Sequence, residues 1–539
     1  VADPNYLKRP FVANAAPEQK QAQRFFIHIL WNWLSVAANL LVGFTLTRFL
    51  IRSLTDEQYG VWVLTFSLAE YATLFDLGFR SAIVNFVSRF RVQKDEQAMS
   101  GVISTSLAYF LGIAILCLLV SFALANEGYK LFRISPANRS DFAFLLTVVG
   151  FIWAGSFIAV LFQASLEAFQ AFKIANKIVV VTLLVRSICC LIVLYMGYGL
   201  RALGICTLIA QFASWVMIYV AFRRMLPELK IGREFVRAAR WKEMAKYGLN
   251  SVYANVGGLF LNQGPPLVVG HYLPATFVGF YGLPFRLLNY MVDLITRIGY
   301  VTAPKTAELW ALGQREQIGR LGTRLNRYCF ALFLPPSIFL SFYAHPLLMK
   351  WLGRAEFVNE CAPLLPVFAI SVSIAISAQF NSSSILYGMA KHGPFAISLL
   401  AESGLSLIGM ALMLPHYGIF GAACVCSGLA IVNRGFITPF LVCRALPYSY
   451  LHYMGSIYGR PLLCGVPVIL LAILFRTSWL PGQTIPQLIL AGGLLIAIGL
   501  IVSLAFCVEP EHRVLLWSTL RQRLGKEAPA VAKPDPQYT

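Results

Sequence analysis

Six arginines fall inside long apolar stretches of this 539-residue chain: Arg48, Arg80, Arg186, Arg286, Arg297 and Arg434. Acids in comparable positions are fewer, namely Glu70, Asp76, Asp293 and Glu402, with Glu167 at the end of a stretch. A charge carried into hydrocarbon is costly and turns toward other protein or a water-filled cavity. Arg286, Tyr290, Asp293, Arg297 and Tyr300 recur at i, i+4, i+7, i+11 and i+14, which lines them along one helix face for about four turns. Asn289 and Thr296 flank that line. Glu70, Thr73, Asp76 and Arg80 fall within an arc of about 120° on a second helix. Asp76/Arg80 and Asp293/Arg297 are acid-then-base pairs four residues apart, the favoured order on a helix. Such pairs can simply neutralise each other and join helices. Arg186, Arg286 and Arg434 are then left without an acid in their own helices. The arginine excess predicts a cavity that receives an anion, and the planar guanidinium fork suits phosphate. Arg80, Arg286, Arg297, Asn289, Arg186 and Arg434 are therefore the candidate phosphate- or sugar-binding residues. Asp76, Asp293 and Glu70 are the candidate ion-coupling acids. Arg48, near the end of its stretch, can reach the interface instead.

The elements that carry these residues are membrane helices. The chain is 58% hydrophobic and 13% charged, about half the charged fraction of a soluble protein. Its apolar runs of roughly 18–28 residues each suffice to cross a bilayer. The sequence reads as an all-α polytopic protein of fourteen spans, with the acids of the second helix inside span 59–86 and the arginine line inside span 276–303. Of the 44 Lys and Arg, 30 fall in connections on one side and 8 on the other. That bias predicts that both termini are cytoplasmic. The net charge of +20 is then mostly a topology signal plus attraction to anionic lipid headgroups, and nucleic acid is excluded as a partner. Eleven Cys and seven His show no metal spacing, and no Gly-rich nucleotide loop is present. No cofactor is expected. Asn262-Gln-Gly-Pro-Pro266 and Pro335-Pro336 are breakers inside spans, read equally as bending points or static kinks.

The chain also echoes itself at a constant offset of 219 residues. Leu54–Trp62 returns as Leu273–Tyr281, Ser165–Ala171 as Ser384–Ala390, and Tyr198–Ala202 as Tyr417–Gly421. Two like-built halves follow. The expected organisation is a cytoplasmic segment 1–24, an N-lobe 25–222 (spans 1–6), a basic linker 223–248, a C-lobe 249–443 (spans 7–12), an extra pair of spans within 444–507 and a tail 508–539. Within the linker, REFVRAARWKEMAKYG reads either as an amphipathic surface helix or as a plain basic connection. A second such pattern follows the last span, with Trp517, Leu520 and Leu524 on one face.

The Tyr59–Trp62 turn, the mid-span Asp76-Leu-Gly78, LEAFQAFKIANKI (Leu166–Ile178) and SSILYGMAKHG (Ser383–Gly393) resemble the Wzx-like polysaccharide-biosynthesis flippases of the multidrug/oligosaccharidyl-lipid/polysaccharide exporter superfamily. The likeness extends over about residues 25–445. It implies two six-helix lobes in a V that open alternately to each side. The implied cargo is a polyprenyl-pyrophosphate-linked oligosaccharide, moved from inner to outer leaflet of a bacterial inner membrane. Besides membrane lipids, the implied partner is the polysaccharide polymerase machinery. Only Arg48 stands where the lipid II branch carries a dense arginine cluster, so O-antigen or exopolysaccharide units are the implied cargo. Two other functions compete. A drug or cation antiporter of the same superfamily wants acids in its cavity, and a membrane polymerase or glycosyltransferase wants a substantial outer loop with an acid/base set. Neither pattern is found, and no enzymatic activity is expected.

Overall fold

The computed structural model describes residues 42–76, 78–249, 252–299, 302–514 and 518, with side chains except at 172–173, 247–249, 252–255 and 293–299. The chain is built from helices: α1 (42–53), α2 (Asp56–Glu70), α3 (Phe79–Gln93), α4 (Glu96–Glu127), α5 (Arg139–Ala168), α6 (Phe172–Tyr195) and α7 (Leu200–Met225) form the first half. After α8 (Ala238–Leu249) come α9 (Val252–Tyr272), α10 (Ala275–Gly299), α11 (Thr302–Ala311), α12 (Arg315–Leu352), α13 (Ala355–Cys361), α14 (Leu364–Gly388), α15 (Gly393–Ala430) and α16 (Thr438–Ala445). α17 (Tyr450–Met454), α18 (Arg460–Leu474) and α19 (Ile485–Phe506) close the chain. Nine helical stretches among the described residues are long and apolar enough to cross a membrane by length and composition. No strand occurs among the described residues, only one isolated bridge between Arg133 and Pro274. In a bilayer such internally bonded helices satisfy their own backbone.

The two halves pack alike. In the first, α5 is the hub, touching α3, α4 and α7, and α6 packs on α7. In the second, α14 touches α11, α12 and the π-helical stretch Ile431–Ile437, which also packs on α15. These are the same neighbours in the same order, two six-helix lobes. α18 and α19 pack on each other and on α12. There Leu334 sits over Gly465 and Pro335 over Gly499, close approaches that a Cβ at either glycine would block.

Several expectations shift. The span expected at 59–86 is not one helix: α2 ends at Glu70, a 3-10 turn covers Tyr71–Asp76, and Gly78 adopts φ +74° before α3 begins. Pro265 and Pro266 lie inside an unbroken α9. α12 runs straight through Pro335-Pro336 and loses helical geometry at Tyr343 (φ −113°, ψ 15°), three residues before Pro346. Pro346 has no N–H and its ring crowds the preceding turn. The boundary between spans 395–415 and 418–443 falls at Gly418, whose φ of +58° and ψ of −154° only glycine adopts readily. The linker is folded onto the first lobe: the N–H groups of Gly232 and Arg237 donate to Ser104 and Thr105 of α4, and Met244 is fully buried against α4. The second amphipathic pattern is helical over 510–514. Trp517, Leu520 and Leu524 lie outside the described residues.

Candidate functional site

The helix break in the first lobe follows from Asp76-Leu-Gly78. With α2 stopped, the carbonyls it frees need donors. Thr73 Oγ1 donates to the Glu70 carbonyl at 2.6 Å, and the Tyr109 hydroxyl of α4 donates to the Phe75 carbonyl at 2.6 Å. The Asp76 carboxylate accepts the Arg80 backbone N–H at 3.3 Å, starting α3. The break rotates α3 relative to α2, so the expected Asp76–Arg80 side-chain pair does not form. Arg80 Nη2 reaches Glu167 Oε1 of α5 instead, at 2.7 Å, and Gln163 donates to the same oxygen at 3.2 Å. Two cavities meet at Arg80. One, of about 290 Å³, is lined by Thr73, Asp76, Arg80, Trp153 and Ser156 and is bounded by Val256 of α9. The other, of about 610 Å³, lies along Arg80, Ser81, Asn85, Ser88 and Glu167. Glu70 is half-buried and makes no ion pair among the described residues.

The second polar place is deeper. Arg286 projects from α10 about 16 Å from the start of that helix, counting 1.5 Å per residue. Its side chain keeps solvent access although α10 is packed against α2, α9 and α14. Tyr59 and Tyr290 lie within its electrostatic reach, and so does Arg186 of α6. The Tyr290 hydroxyl stands beside Arg286 without meeting hydrogen-bond geometry to any group. The Tyr290 ring wedges against α1 so tightly that a Cβ on Gly43 would lie 2.1 Å from its hydroxyl oxygen. Asn289 is half-buried on the same helix. Neither Arg186 nor Arg286 has a carboxylate partner among the described residues. The side chains of Asp293, Thr296 and Arg297, and Tyr300 as a whole, lie outside the described residues. Arg434 differs from the two unpaired arginines. It sits on the π-helical stretch and its Nε donates to both oxygens of Glu402 at 2.8 and 3.1 Å, while Asn433 donates to the same carboxylate at 2.7 Å. Glu402 is 3% exposed, so the charge of Arg434 is already met inside the second lobe. Arg48 is half-exposed.

Away from the basic connections, the lobes are sealed by residues that charge patterning did not single out. A capping box, Thr55 with Gln58, starts α2. Beside it Arg354 pairs with Asp56 at 2.8 Å and donates to the carbonyls of Ile51 and Leu54, while Arg52 Nε donates to the Leu352 carbonyl at 2.9 Å. The mirror contact runs the other way: the Arg133 N–H donates to the Gly270 carbonyl, and the Ala275 N–H donates to the Arg133 carbonyl. Ser135 is held by Glu57 through its N–H and its hydroxyl. Between these clamps α2 crosses α10. A Cβ on Gly60 would lie 1.7 Å from the Ala275 carbonyl oxygen, and one on Gly279 would lie 2.8 Å from the Tyr59 ring. Gly60 and Gly279 are the glycines that the 219-residue offset superimposes, so the echo in the sequence is a contact in the structure.

A sequence model described as "Polysaccharide biosynthesis protein" matches residues 49–355, more than half of the chain. The chain belongs to that family. Among its relatives, the "Uncharacterized membrane protein EpsK" of Bacillus subtilis (strain 168) is 21% identical over 81% of this chain and 86% of its own length. The "Putative O-antigen transporter" of Shigella flexneri is 23% identical over 73% of this chain and 92% of its own length. Among solved structures, the lipid II flippase MurJ in an inward closed conformation aligns with a TM-score of 0.67 at 13% identity, covering 93% of this chain and 99% of that one. An inward-facing multidrug resistance transporter of the MATE family aligns at 0.57 and 14% identity, covering 75% and 94%. The family member thus has the multi-pass transporter fold of these proteins.

Proposed function

We propose that this protein is a flippase that carries a polyprenyl-pyrophosphate-linked oligosaccharide, an O-antigen or exopolysaccharide unit, from the inner to the outer leaflet by alternating access. One observation carries the reading: Arg186 and Arg286, near the middles of α6 and α10, lie within electrostatic reach of each other, and neither has a carboxylate partner among the described residues. Like charges brought within such reach repel each other, the more so where water is excluded. An incoming pyrophosphate removes that repulsion and accepts from both guanidinium forks. The name of the Shigella flexneri relative supports an O-antigen cargo. Arg297 belongs to the same anion path, while Arg80, paired with Glu167 nearer the basic connections, which are taken as cytoplasmic, lies along the way of the glycan part of the cargo. Arg434, engaged by Glu402, acts as a structural member of the second lobe. Glu70 and Asp76 are the acids that couple cargo to a proton or another ion, with Asp293 as their counterpart. The polymerase machinery that takes up the flipped unit is the proposed downstream partner. The test is a gene deletion with complementation. The deletion strain traps lipid-linked glycan on the cytoplasmic leaflet, the intact gene releases it, and Arg286→Ala and Arg186→Ala do not, at equal protein level. Normal glycan export by both alanine variants refutes the assignment.

A further inference from the structure

We infer that the cavity at the α2–α3 break is a saccharide subsite, separate from the arginine pair. This rests on the flippase reading and adds where the glycan is recognised. The two polar places have opposite electrostatic character. Arg186 and Arg286 bring two positive charges without an acid. Around Arg80, the carboxylates of Asp76 and Glu167 outnumber the single guanidinium, and an anion is repelled there. A neutral polyhydroxyl ligand is not. A pyranose presents a flat apolar face of C–H groups and a rim of hydroxyls that both donate and accept. Its complement is an aromatic wall next to carboxylate, guanidinium, amide and hydroxyl groups. The cavity supplies this set: the half-buried Trp153 ring with Asp76, Arg80 and Ser156, continuing to Asn85 and Glu167.

The carboxylates are positioned but not used up. Among the described residues only Oδ1 of Asp76 and Oε1 of Glu167 are engaged, so each acid has a second oxygen for a hydroxyl. The broken helix fits the same role, since irregular backbone at membrane depth occurs where it lines a cavity. The adjoining volumes of about 290 and about 610 Å³ fall in the range of ligand clefts, roughly 300–1,000 Å³. The duplication supplies an internal control. At the 219-residue offset, anchored by Ser165 over Ser384, Trp153, Ser156 and Glu167 of α5 correspond to Val372, Ala375 and Leu386 of α14. The hub helix of the second lobe holds apolar residues at all three places, with Ala375 and Leu386 buried. The hub position itself therefore does not require the aromatic and polar residues that the first lobe carries at these three places.

The test uses the full chain purified in detergent and two probes: undecaprenyl pyrophosphate, and the lipid-linked saccharide extracted from the producing cells. Native mass spectrometry under competition reads their relative affinity, and a melting temperature for each variant reports folding. The wild type prefers the saccharide-bearing lipid at least tenfold. Trp153→Ala and Ser156→Ala lower that preference while binding of the bare lipid is kept, and Trp153→Phe, which retains a ring, keeps most of it. Arg286→Ala weakens both probes equally. If the wild type binds both probes alike, or Trp153→Ala and Ser156→Ala leave the preference intact, or they weaken both probes in parallel, the subsite is refuted. If the wild type binds neither probe, the flippase reading itself fails.

Discussion

Replacing Gly60 by alanine tests whether the α2–α10 crossing holds the lobes shut. The added Cβ would lie 1.7 Å from the Ala275 carbonyl oxygen and 2.5 Å from its carbon. Non-bonded carbon contacts sit near 3.5–4.0 Å, so the helices must separate by roughly 2 Å. The opposing atoms are backbone, which cannot swing aside as a side-chain tip can. Overpacking of this kind costs about 1–3 kcal/mol. A loss of about 2 kcal/mol from the sealed state is a shift of roughly 30-fold toward the opened one. The assay is amide hydrogen exchange by mass spectrometry. The N–H groups of Arg133 and Ala275 bond across the lobes, and they exchange only when the seam parts. Their peptides should exchange on the order of 30-fold faster in Gly60→Ala. Gly112→Ala is the control, because its Cβ meets open space and alanine favours a helix by up to about 1 kcal/mol. Exchange at Arg133 and Ala275 that is the same in both variants as in the wild type would refute the reasoning.

Four further outcomes are expected. Arg354→Ala removes the pair with Asp56 and two bonds to carbonyls, worth about 1–3 kcal/mol, and should raise exchange across 50–56 tenfold or more; unchanged exchange there removes Arg354 from the seal. Arg434→Ala strands the buried Glu402 carboxylate and should destabilise by about 3–5 kcal/mol, seen as a lower melting temperature in detergent, whereas the pair Glu402→Gln/Arg434→Met recovers most of it. Arg286→Ala should leave the melting temperature unchanged, and a drop equal to that of Arg434→Ala would make Arg286 structural. Burial raises the Asp56 carboxyl above the ordinary range; Arg354 lowers it and Glu356 adds to the rise. A carboxyl raised in the folded state adds stability at low pH that is lost as pH rises through its folded value. Asp56→Asn should therefore reduce the gain in melting temperature on going from neutral pH to about pH 5; an equal gain in the variant removes Asp56 as the source.

Much of this was readable in the residues. Apolar runs and basic connections gave the helical membrane class, because hydrocarbon thickness and leaflet charge act directly on composition. The offset repeat gave the two lobes, and its best-matched glycines turned out to touch. Two features escaped for physical reasons. Placing Asp76 and Arg80 on one continuous helix assumed that a glycine in mid-span keeps its helical φ, and Gly78 does not. The break sends Arg80 to Glu167, a partner 87 positions away that no local spacing reveals. Arg434 likewise finds Glu402 on another helix. The clamps beside the α2–α10 crossing were hidden because Arg52, Arg133 and Arg354 work largely through carbonyls, and backbone acceptors leave no mark in a sequence. The capping box at Thr55 and the repeat register around Leu54 and Leu273 were the available signals.

The docked linker changes what the positive charge of this chain does. Free, the stretch 223–248 would be a slack leash. Bound to α4 through Ser104, Thr105 and Met244, it is a plate rigidly mounted on one lobe. Arg233, Arg237, Lys242 and Lys246 face outward from it, and each is worth about 1 kcal/mol against an anionic leaflet. Under the alternating access proposed above, a rocking lobe would drag this plate toward or away from the lipid surface. Under the proposed flippase reading, headgroup composition becomes a mechanical load on the cycle, and membranes of different surface charge would set different turnover rates for the same cargo.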